Sequence, residues 1–453
     1  MDTQSLTAAR AVPLLQGLIR NACVNTGRSD SGGETRSIEF LRDFLSGYDI
    51  ATEILYDRPD RANLIARIPG GDQMTSSVAY MGHVDVVPAE AGKWRRDPFG
   101  GELVDGEVWG RGAVDMLGMV ATSAAAMSVI AEGPPPPGDV LFIAVSDEEA
   151  GGTYGARYLL EHHAEAVKCD YMITEVGGMH LSGSGSPATS GGITMSVGEK
   201  GVCWVRVRFS GVPGHGSMPY RADNAAVKAA TAAARLARFR TRADLSGIVR
   251  EMSSAFLRSR FDRLLARTPR GFEAAVARLY ESDRGAARFL HTAAHTSISP
   301  NEIHSGTKVN IIPDSAELTL DIRILPGQGV EDVQMLLREG MGDLGEEAEI
   351  EFFEFYPSNV SPRDTPLMRA SERILEDVLP GIPIVPVFLG GVTDGRYWRQ
   401  KGTTVYGFAA HDPRLTLDRF SQLIHGIDER ISVSSLEKNL RYLSRLPFEL
   451  NRT

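Results

Sequence analysis

The stretch Val140-Leu-Phe-Ile-Ala-Val-Ser-Asp-Glu-Glu-Ala-Gly-Gly152 places three consecutive carboxylates directly after an apolar run. Residues 140–145 are entirely apolar, which is typical of a strand buried on both faces of a parallel sheet. Asp147, Glu148 and Glu149 follow, and like charges this close together repel. Such a cluster is stable when a cation lies among the carboxylates, or when one of them holds a proton. The stretch therefore predicts a buried strand that ends at a cation site.

Short apolar runs alternate with amphipathic segments on both sides of this strand. Further strands are predicted at 51–56, 63–68, 78–82 and 170–174, and helices at 5–22, 34–46, 116–132 and 152–166. This alternation indicates an α/β fold with a mixed, mostly parallel sheet flanked by helices. In open sheets of this kind, ligands bind at the carboxyl ends of the strands.

Several potential metal ligands lie at those carboxyl ends. They are His83, Asp85, Glu148, Glu149 and Glu175, and Asp115 heads a helix on the same rim. Histidine and carboxylate ligands without a cysteine cluster suit zinc, manganese or cobalt. One aspartate bridging two ions, with a carboxylate and a histidine on each, would build a two-metal site.

Each of these residues alone has an ordinary structural explanation. His83 could be a buried histidine whose ring is satisfied by Asp85, and Asp115 could simply cap its helix. Glu148 and Glu149 could form a solvated acidic turn. Only the joint pattern favours a metal centre.

The pattern changes near Glu199. Residues 202–209 alternate in polarity, as in a half-exposed antiparallel strand, and 240–293 are rich in Arg, Ala and Leu and helical in pattern. We predict an α+β domain at 199–356, inserted into a discontinuous domain formed by 1–198 and 357–453.

Composition excludes several classes of function. The chain has 453 residues, 42% hydrophobic, with a formal net charge of −10, which argues against a nucleic-acid partner. Three scattered cysteines indicate reduced thiols, hence a cytoplasmic protein. We expect neither a secretory signal nor a membrane span, because the chain lacks a basic, apolar leader and an apolar run of about 18 residues.

Five motifs match one family in order and spacing. They are His83-Val-Asp85, Gly110-Arg-Gly-Ala-Val-Asp115, Ser146-Asp-Glu-Glu149, Thr174-Glu175 and His425-Gly-Ile-Asp-Glu429. The chain thereby resembles the aminoacylase, carboxypeptidase G and succinyl-diaminopimelate desuccinylase family of co-catalytic dizinc metallopeptidases. The long segment at 240–293 makes it most similar to the larger, carboxypeptidase-like N-acyl-amino-acid hydrolase branch.

The resemblance implies a role for each motif residue. His83 and Glu175 would bind one zinc ion, Glu149 and His425 the other, and Asp115 would bridge them; cobalt or manganese could replace zinc. Glu148 would act as general base and later as proton donor, with Asp85 orienting His83. The resemblance also implies a cis peptide bond between Asp115 and Met116.

In the inserted domain, the resemblance implies a lid that also forms a homodimer. His215, in Gly214-His-Gly-Ser217, would stabilise the oxyanion, in its own subunit or in a neighbour. Asn310 and Arg323 would bind substrate, Arg323 as a bidentate clamp on a carboxylate. Gly391 and Thr393 would line the pocket. The helices at 240–293 leave open whether the protein is a monomer or a dimer.

The implied activity is hydrolysis of an amide bond next to a free carboxylate, in small peptides or N-acyl amino acids. Two alternatives remain, a catalytically silent metal-binding scaffold and an N-carbamoyl amino acid amidohydrolase. Glu149 counts against the carbamoyl branch, which usually has histidine there. His291 and His295 have a metal-capable spacing, but no acidic partner is evident in the sequence, so we predict no metal there.

Overall fold

The computed structural model describes residues 3–72, 74–181 and 191–452. Strands and helices alternate along most of this length, as the sequence predicts. Within the described residues, every helix is too short or too polar to cross a bilayer.

The strands fall into one large sheet, one four-stranded sheet and two small ones. In chain order they are β1 (Ala51–Tyr56), β2 (Ala62–Ile68), β3 (Val78–His83), β4 (Glu102–Val104), β5 (Glu107–Trp109), β6 (Val140–Val145), β7 (Tyr171–Thr174), β8 (Ile193–Glu199), β9 (Gly201–Ser210), β10 (Gly214–His215), β11 (Ser297–Ser305), β12 (Ile311–Ile312), β13 (Ser315–Ile324), β14 (Glu349–Tyr356), β15 (Asn359–Val360), β16 (Ile384–Leu389), β17 (Thr404–Gly407) and β18 (Arg430–Ser432).

The α-helices cover both sheets. In chain order they are α1 (Thr3–Leu6), α2 (Val12–Asn21), α3 (Thr35–Ser46), α4 (Leu117–Ala131), α5 (Tyr158–His162), α6 (Ala225–Arg238), α7 (Gly247–Phe256), α8 (Arg260–Leu265), α9 (Pro269–Ser282), α10 (Arg284–Ala294), α11 (Val330–Met341), α12 (Leu344–Glu347), α13 (Pro366–Val378), α14 (Gly395–Gln400), α15 (Leu417–Leu423) and α16 (Val433–Leu450).

The large sheet is mixed, with parallel strands at its centre. Its order is β1-β2-β6-β3-β7-β17-β8-β15, and β16 also pairs with β8. The neighbours β6, β3, β7 and β17 run parallel, whereas β2 is antiparallel to both β1 and β6. β6 is buried along its whole length, which explains its uninterrupted apolar sequence. Helix α4 is buried on nearly all sides, because it packs between this sheet and other helices.

The smaller four-stranded sheet is antiparallel, in the order β11-β13-β9-β14. Buried and more exposed residues alternate along β13, as expected when one face meets a core and the other meets solvent. The core contains residues of α6 and α11, such as Leu236 and Leu337. All four strands fall within the predicted inserted domain, although the domain boundaries themselves remain a prediction.

Helices α7–α10, which lie in the predicted inserted domain, share a hydrophobic core with the large sheet. Phe256, Phe272 and Leu290 of these helices belong to the same buried cluster as Val387 of β16 and Leu417 of α15. At Gly285, the start of α10 comes so close to α15 that an added Cβ would lie 2.9 Å from the Asp418 Cα. The Arg-, Ala- and Leu-rich segment is therefore attached to the body that carries the predicted metal ligands.

Candidate metal centre

The carboxyl ends of three adjacent strands meet at one rim of the large sheet. His83 ends β3 and pairs in register with Val145, the last residue of β6. Glu175 follows β7 immediately, and the chain turns sharply at Asp147 before Glu148 and Glu149. Because these strands are parallel, the polar residues that follow them lie together, as the sequence predicts.

Two groups of three potential ligands share Asp115. His83, Asp115 and Glu175 form one group, and Asp115, Glu149 and His425 form the other, with the donor atoms of each group within 4.8 Å of one another. Asp115 Oδ1 lies 3.2 Å from His83 Nε2, and Asp115 Oδ2 lies 3.2 Å from His425 Nε2. The two carboxylate oxygens of Asp115 therefore face different groups, which is the arrangement that a bridging ligand requires.

The remaining two carboxylates complete the groups. Glu175 Oε2 lies 3.6 Å from His83 Nε2, and Glu149 Oε2 lies 3.3 Å from His425 Nε2. The other oxygen of Glu149, Oε1, is buried without a hydrogen bond from any described residue. A buried carboxylate oxygen without a donor is costly unless a cation satisfies it. The residues present thus fit two cations of the kind that imidazole and carboxylate ligands hold.

The electrostatics of the cluster reflect this concentration of acidic groups. Burial raises the pKa of Glu175 to about 8 and raises the pKa of Glu148 well above its usual value. Hydrogen bonds with Asp115 and Glu149 raise the pKa of His425 to about 10. Without metal, the histidines therefore compensate the acidic charge by holding protons. Divalent cations would supply the same compensation and displace those protons.

Asp85 contacts both His83 and the turn after β6. His83 Nδ1 lies 2.9 Å from the backbone carbonyl oxygen of Asp85, and 3.5 Å from its carboxylate. The carbonyl can only accept, so His83 donates from Nδ1 and leaves Nε2 free for a metal. The Asp85 carboxylate also accepts from the backbone amides of Glu148 (3.2 Å) and Glu149 (3.1 Å) and from the side chain of Asn25 (2.9 Å). Asp85 thus holds the turn that carries the proposed base.

Asp115 does not cap the helix that follows it, contrary to the expectation from its position. Helix α4 begins at Leu117 after Met116, which occupies the N-cap position without a side-chain hydrogen bond. The Asp115 carboxylate points to His83 and His425 instead. The peptide bond between Asp115 and Met116 is cis, as the resemblance implies.

Glu429 fixes the loop before Asp115, a role that sequence reasoning missed. Its Oε1 accepts from the backbone amides of Val114 (2.8 Å) and Asp115 (3.0 Å). Its Oε2 accepts from the amide of Gly112 (3.0 Å) and the guanidinium of Arg111 (2.8 Å). The motif that contains His425 also contains this glutamate, but nothing in its spacing shows that four donors surround it.

Asp394 is a second residue that the sequence did not single out. It is buried, and neither of its carboxylate oxygens has a hydrogen-bond partner among the described residues. Burial raises its pKa to about 7. A Cβ on Gly152, whose φ is +74°, would lie 2.4 Å from Asp394 Oδ1, so only glycine fits here.

A cavity of about 750 Å³ opens onto these groups. Asp115, Glu148, Glu149, Glu175 and His425 line it, as do the predicted pocket residues Gly391 and Thr393. Both the amide and the hydroxyl of Thr393 donate to the buried Glu199 carboxylate, at 2.8 and 2.9 Å. Thr393 therefore shapes the cavity wall, but its hydroxyl hydrogen is engaged by Glu199 and is not available to donate to a substrate.

Three predicted residues lie outside the described lining of this cavity. His215 is exposed on β10, with its Nδ1 2.8 Å from Ser217 Oγ. Asn310 is also exposed, one residue before β12. Arg323 pairs with Asp321 through two hydrogen bonds of 2.7 and 3.0 Å on the four-stranded sheet. Their predicted roles require either lid closure or a second subunit, and they stay predictions.

The inserted helix α10 lines the cavity in their place. Arg284, Arg288, Phe289 and Thr292 contribute from α10, and Thr292 lies against Gly390 of the loop that contains Gly391. The sequence showed an Arg-rich helical segment, but it gave no sign that one face of this segment closes the cavity over the metal ligands.

Comparisons with known proteins agree with this geometry. The sequence profile of peptidase family M20/M25/M40 matches residues 79–449. The chain is 26% identical over 391 residues to the N-fatty-acyl-amino acid synthase/hydrolase PM20D1 of Xenopus tropicalis, covering 84% of this chain and 73% of that one. It is 28% identical over 387 residues to a succinyl-diaminopimelate desuccinylase of Cereibacter sphaeroides, covering 84% and 85%.

Solved structures share the fold at lower sequence identity. The M20 family metallo-carboxypeptidase Sso-CP2 of Sulfolobus solfataricus superposes with a TM-score of 0.70 at 16% identity, covering 100% of both chains. Human carnosine dipeptidase 1 also gives 0.70, at 15% identity, covering 100% of this chain and 98% of that one. The profile spans most of the chain and includes every residue of the two ligand groups, so the chain belongs to peptidase family M20/M25/M40 and is a metal-dependent amide hydrolase.

Proposed function

We propose that the chain is a dinuclear zinc hydrolase that cleaves the amide bond of small peptides or N-acyl amino acids next to a free carboxylate. The observation that carries this proposal is the division of Asp115 between two ligand groups at the floor of the cavity. Two divalent cations bound there would lower the pKa of a water molecule and polarise the scissile carbonyl group.

Glu148 is the proposed general base. It lines the cavity beside Glu149 and Glu175, and its carboxylate makes no hydrogen bond to another described side chain. Burial, followed by the charge of Glu175, raises its pKa, which makes the carboxylate a stronger proton acceptor than an exposed glutamate. In this role Glu148 takes a proton from the attacking water and passes it to the leaving amine.

The cavity lining supports a substrate with an apolar part and a carboxylate. Its apolar wall comprises Phe289, Leu389, Val392, Leu417, Phe420 and Ile424. Arg284 and Arg288 contribute positive charge, and neither forms an ion pair with a described carboxylate; Arg288 donates weakly to the Tyr280 hydroxyl at 3.5 Å. Such guanidinium groups are suited to bind a carboxylate. Arg323, the predicted clamp, is the competing candidate.

Relatives support the same substrate class. The names of both curated relatives describe an acyl group on an amino acid, fatty-acyl in one and succinyl in the other. By analogy, an N-acyl amino acid would place its acyl chain on the apolar wall and its carboxylate near the arginines. A homodimer that brings His215 to a neighbouring site, and a location in the cytoplasm, are further parts of the proposal.

A substrate screen combined with one substitution tests the proposal. The purified, zinc-loaded protein would be assayed on N-acyl amino acids, dipeptides and N-carbamoyl amino acids, with metal content measured in parallel. We expect hydrolysis of at least one of the first two classes, and at least two zinc ions per chain. Glu148→Gln should retain the metal but lower kcat by about 10²–10⁴-fold, because it removes a proton acceptor without removing a ligand.

Glu165→Gln is the matched control, since Glu165 is exposed and, among the described residues, forms an ion pair only with Lys168, at 3.9 Å. Hydrolysis of N-carbamoyl substrates alone would favour the carbamoyl branch. Bound zinc without hydrolysis of any substrate would favour a silent scaffold. Normal turnover of Glu148→Gln would remove Glu148 from the mechanism.

A further inference from the structure

A second cluster of potential metal ligands lies on helices α9 and α10. The cluster has one donor atom each from Glu273 of α9, His291 of α10 and His295, the residue after α10. These atoms lie within 4.8 Å of one another. His295 Nε2 lies 2.8 Å from Glu273 Oε1, and His291 Nε2 lies 3.7 Å from Glu273 Oε2. The acidic partner that the sequence did not reveal is therefore supplied by the preceding helix.

Hydrogen bonding determines which nitrogen of His295 carries its proton. Nδ1 lies 2.8 Å from the backbone carbonyl oxygen of Thr241, and a carbonyl oxygen can only accept. The Thr241 hydroxyl donates to the carbonyl of Thr296, so it is also available only as an acceptor toward His295. His295 Nδ1 is consequently the protonated nitrogen.

Nε2 of His295 then meets the Glu273 carboxylate at a distance that needs a further proton or a metal cation between the two atoms. In the neutral ring, Nε2 carries a lone pair, and two lone pairs 2.8 Å apart repel. Either a second proton or a metal cation resolves the contact. A backbone carbonyl that fixes Nδ1–H and leaves Nε2 directed at a carboxylate is also the usual support of a metal-binding histidine.

His291 directs the same nitrogen to the same carboxylate. Its ring stacks on that of His295, with centroids 4.3 Å apart and planes 18° apart. Two imidazoles and one carboxylate are a known zinc donor set, which leaves a fourth position for water. A cavity of about 440 Å³, lined by Glu273, His291 and Tyr280, provides space for that water.

We propose that Glu273, His291 and His295 bind a divalent transition-metal cation, such as zinc, separate from the two catalytic positions, and that this ion clamps α9 to α10. The clamp would also act on the substrate cavity, because Arg284, Arg288 and Phe289 line that cavity from the same helix α10. The site is independent of the reaction that the catalytic centre performs.

Metal stoichiometry tests the proposal without reference to activity. The full chain would be dialysed against graded concentrations of free Zn²⁺, and bound zinc would be measured by mass spectrometry. We expect three zinc ions per wild-type chain at saturation and two in the double variant Glu273→Gln/His291→Ala. Both substituted side chains are partly exposed, at 47% and 41%, so the fold should tolerate the changes.

The matched control is Glu302→Gln/His304→Ala, which removes another glutamate and histidine 4.0 Å apart on the exposed strand β11. This control should still bind three ions. Thermal unfolding gives a second readout, because the third ion should raise the melting temperature of the wild type and the control but not of the double variant. Equal stoichiometry in the wild type and the double variant would show that a proton, not a metal, joins His295 to Glu273, and would overturn the proposal.

Discussion

Replacing Glu429 by glutamine should release the loop that carries Asp115. Each carboxylate oxygen of Glu429 accepts from two donors, Val114 and Asp115 on one side and Gly112 and Arg111 on the other. The glutamine amide has one oxygen, so in either orientation its NH₂ group faces two donors. Two buried donors that lose their acceptor cost about 1–3 kcal/mol each, or about 2–6 kcal/mol in total.

Hydrogen–deuterium exchange of the metal-free protein measures this cost locally. The amides of Gly112, Val114 and Asp115 should exchange at least about 30-fold faster in Glu429→Gln, which corresponds to the lower limit of about 2 kcal/mol. Zinc affinity should fall about 10–100-fold, because the loop orients Asp115 from behind. Glu39→Gln, an exposed change on α3, should alter neither quantity.

The expected loss depends on Glu429 being ionised in the folded protein. Burial raises its pKa, while Arg111 and the backbone amides act in the opposite direction. If Glu429 were protonated in the folded protein, glutamine would be a close substitute. Exchange rates within threefold of the wild type would therefore contradict the assignment of an ionised Glu429 that holds the loop.

Two further predictions concern the cavity and the response to acid. Arg284→Gln/Arg288→Gln should raise KM about 10–100-fold for a substrate with a free carboxylate and little for its amide derivative, with kcat nearly unchanged. The control Arg267→Gln/Arg270→Gln, which removes two exposed arginines from the same segment, should leave both KM values unchanged. An equal effect of Arg284→Gln/Arg288→Gln on the acid and the amide would refute carboxylate binding by these arginines. Burial lowers the pKa of His411 to about 3, below an unfolded value of about 6.5. The contribution of neutral His411 to the free energy of unfolding is therefore fully present above pH 6.5, and it is lost as the pH falls toward 3. When the pH falls from 6.5 to 5, the free energy of unfolding in urea should decrease by about 1.5 kcal/mol less in His411→Asn than in the wild type. Equal decreases in the two proteins would show that His411 is not the source of the acid sensitivity.

The strands and the shared rim of the carboxylates could be predicted from local sequence, whereas the division of the ligands into two groups followed from the resemblance to a family. The run at 140–145 has to be buried on two faces, and parallel neighbours bring Glu149 and Glu175 to a common rim. The function of Asp115 could not be decided in this way, because an aspartate before a helix is suited to capping and to metal binding alike. Only its two histidine neighbours, 32 and 310 positions away, distinguish the alternatives.

The residues that support the ligands escaped prediction for a related reason. Glu429 is an ordinary acidic residue in sequence, and its donors lie more than 300 positions earlier. Asp85 was expected to orient His83, and its backbone carbonyl oxygen lies nearest to the His83 ring. Hydrogen bonds that use backbone groups carry no signature in side-chain identity, so spacing reveals the ligands more readily than the groups that position them.

Helix α10 contributes arginines to the cavity, so the predicted lid has fewer substrate contacts to provide. An amphipathic pattern shows that a helix buries one face, but not which core receives it. Here the core is shared with the large sheet, and α10 packs against α15, a helix that ends two residues before His425. Arg284 and Arg288 therefore reach the cavity from the chain's own body, whereas His215 and Arg323 lie outside its lining. If substrate carboxylates bind the α10 arginines, a single subunit supplies that contact, and a partner or a closing lid is needed only for His215 and Asn310.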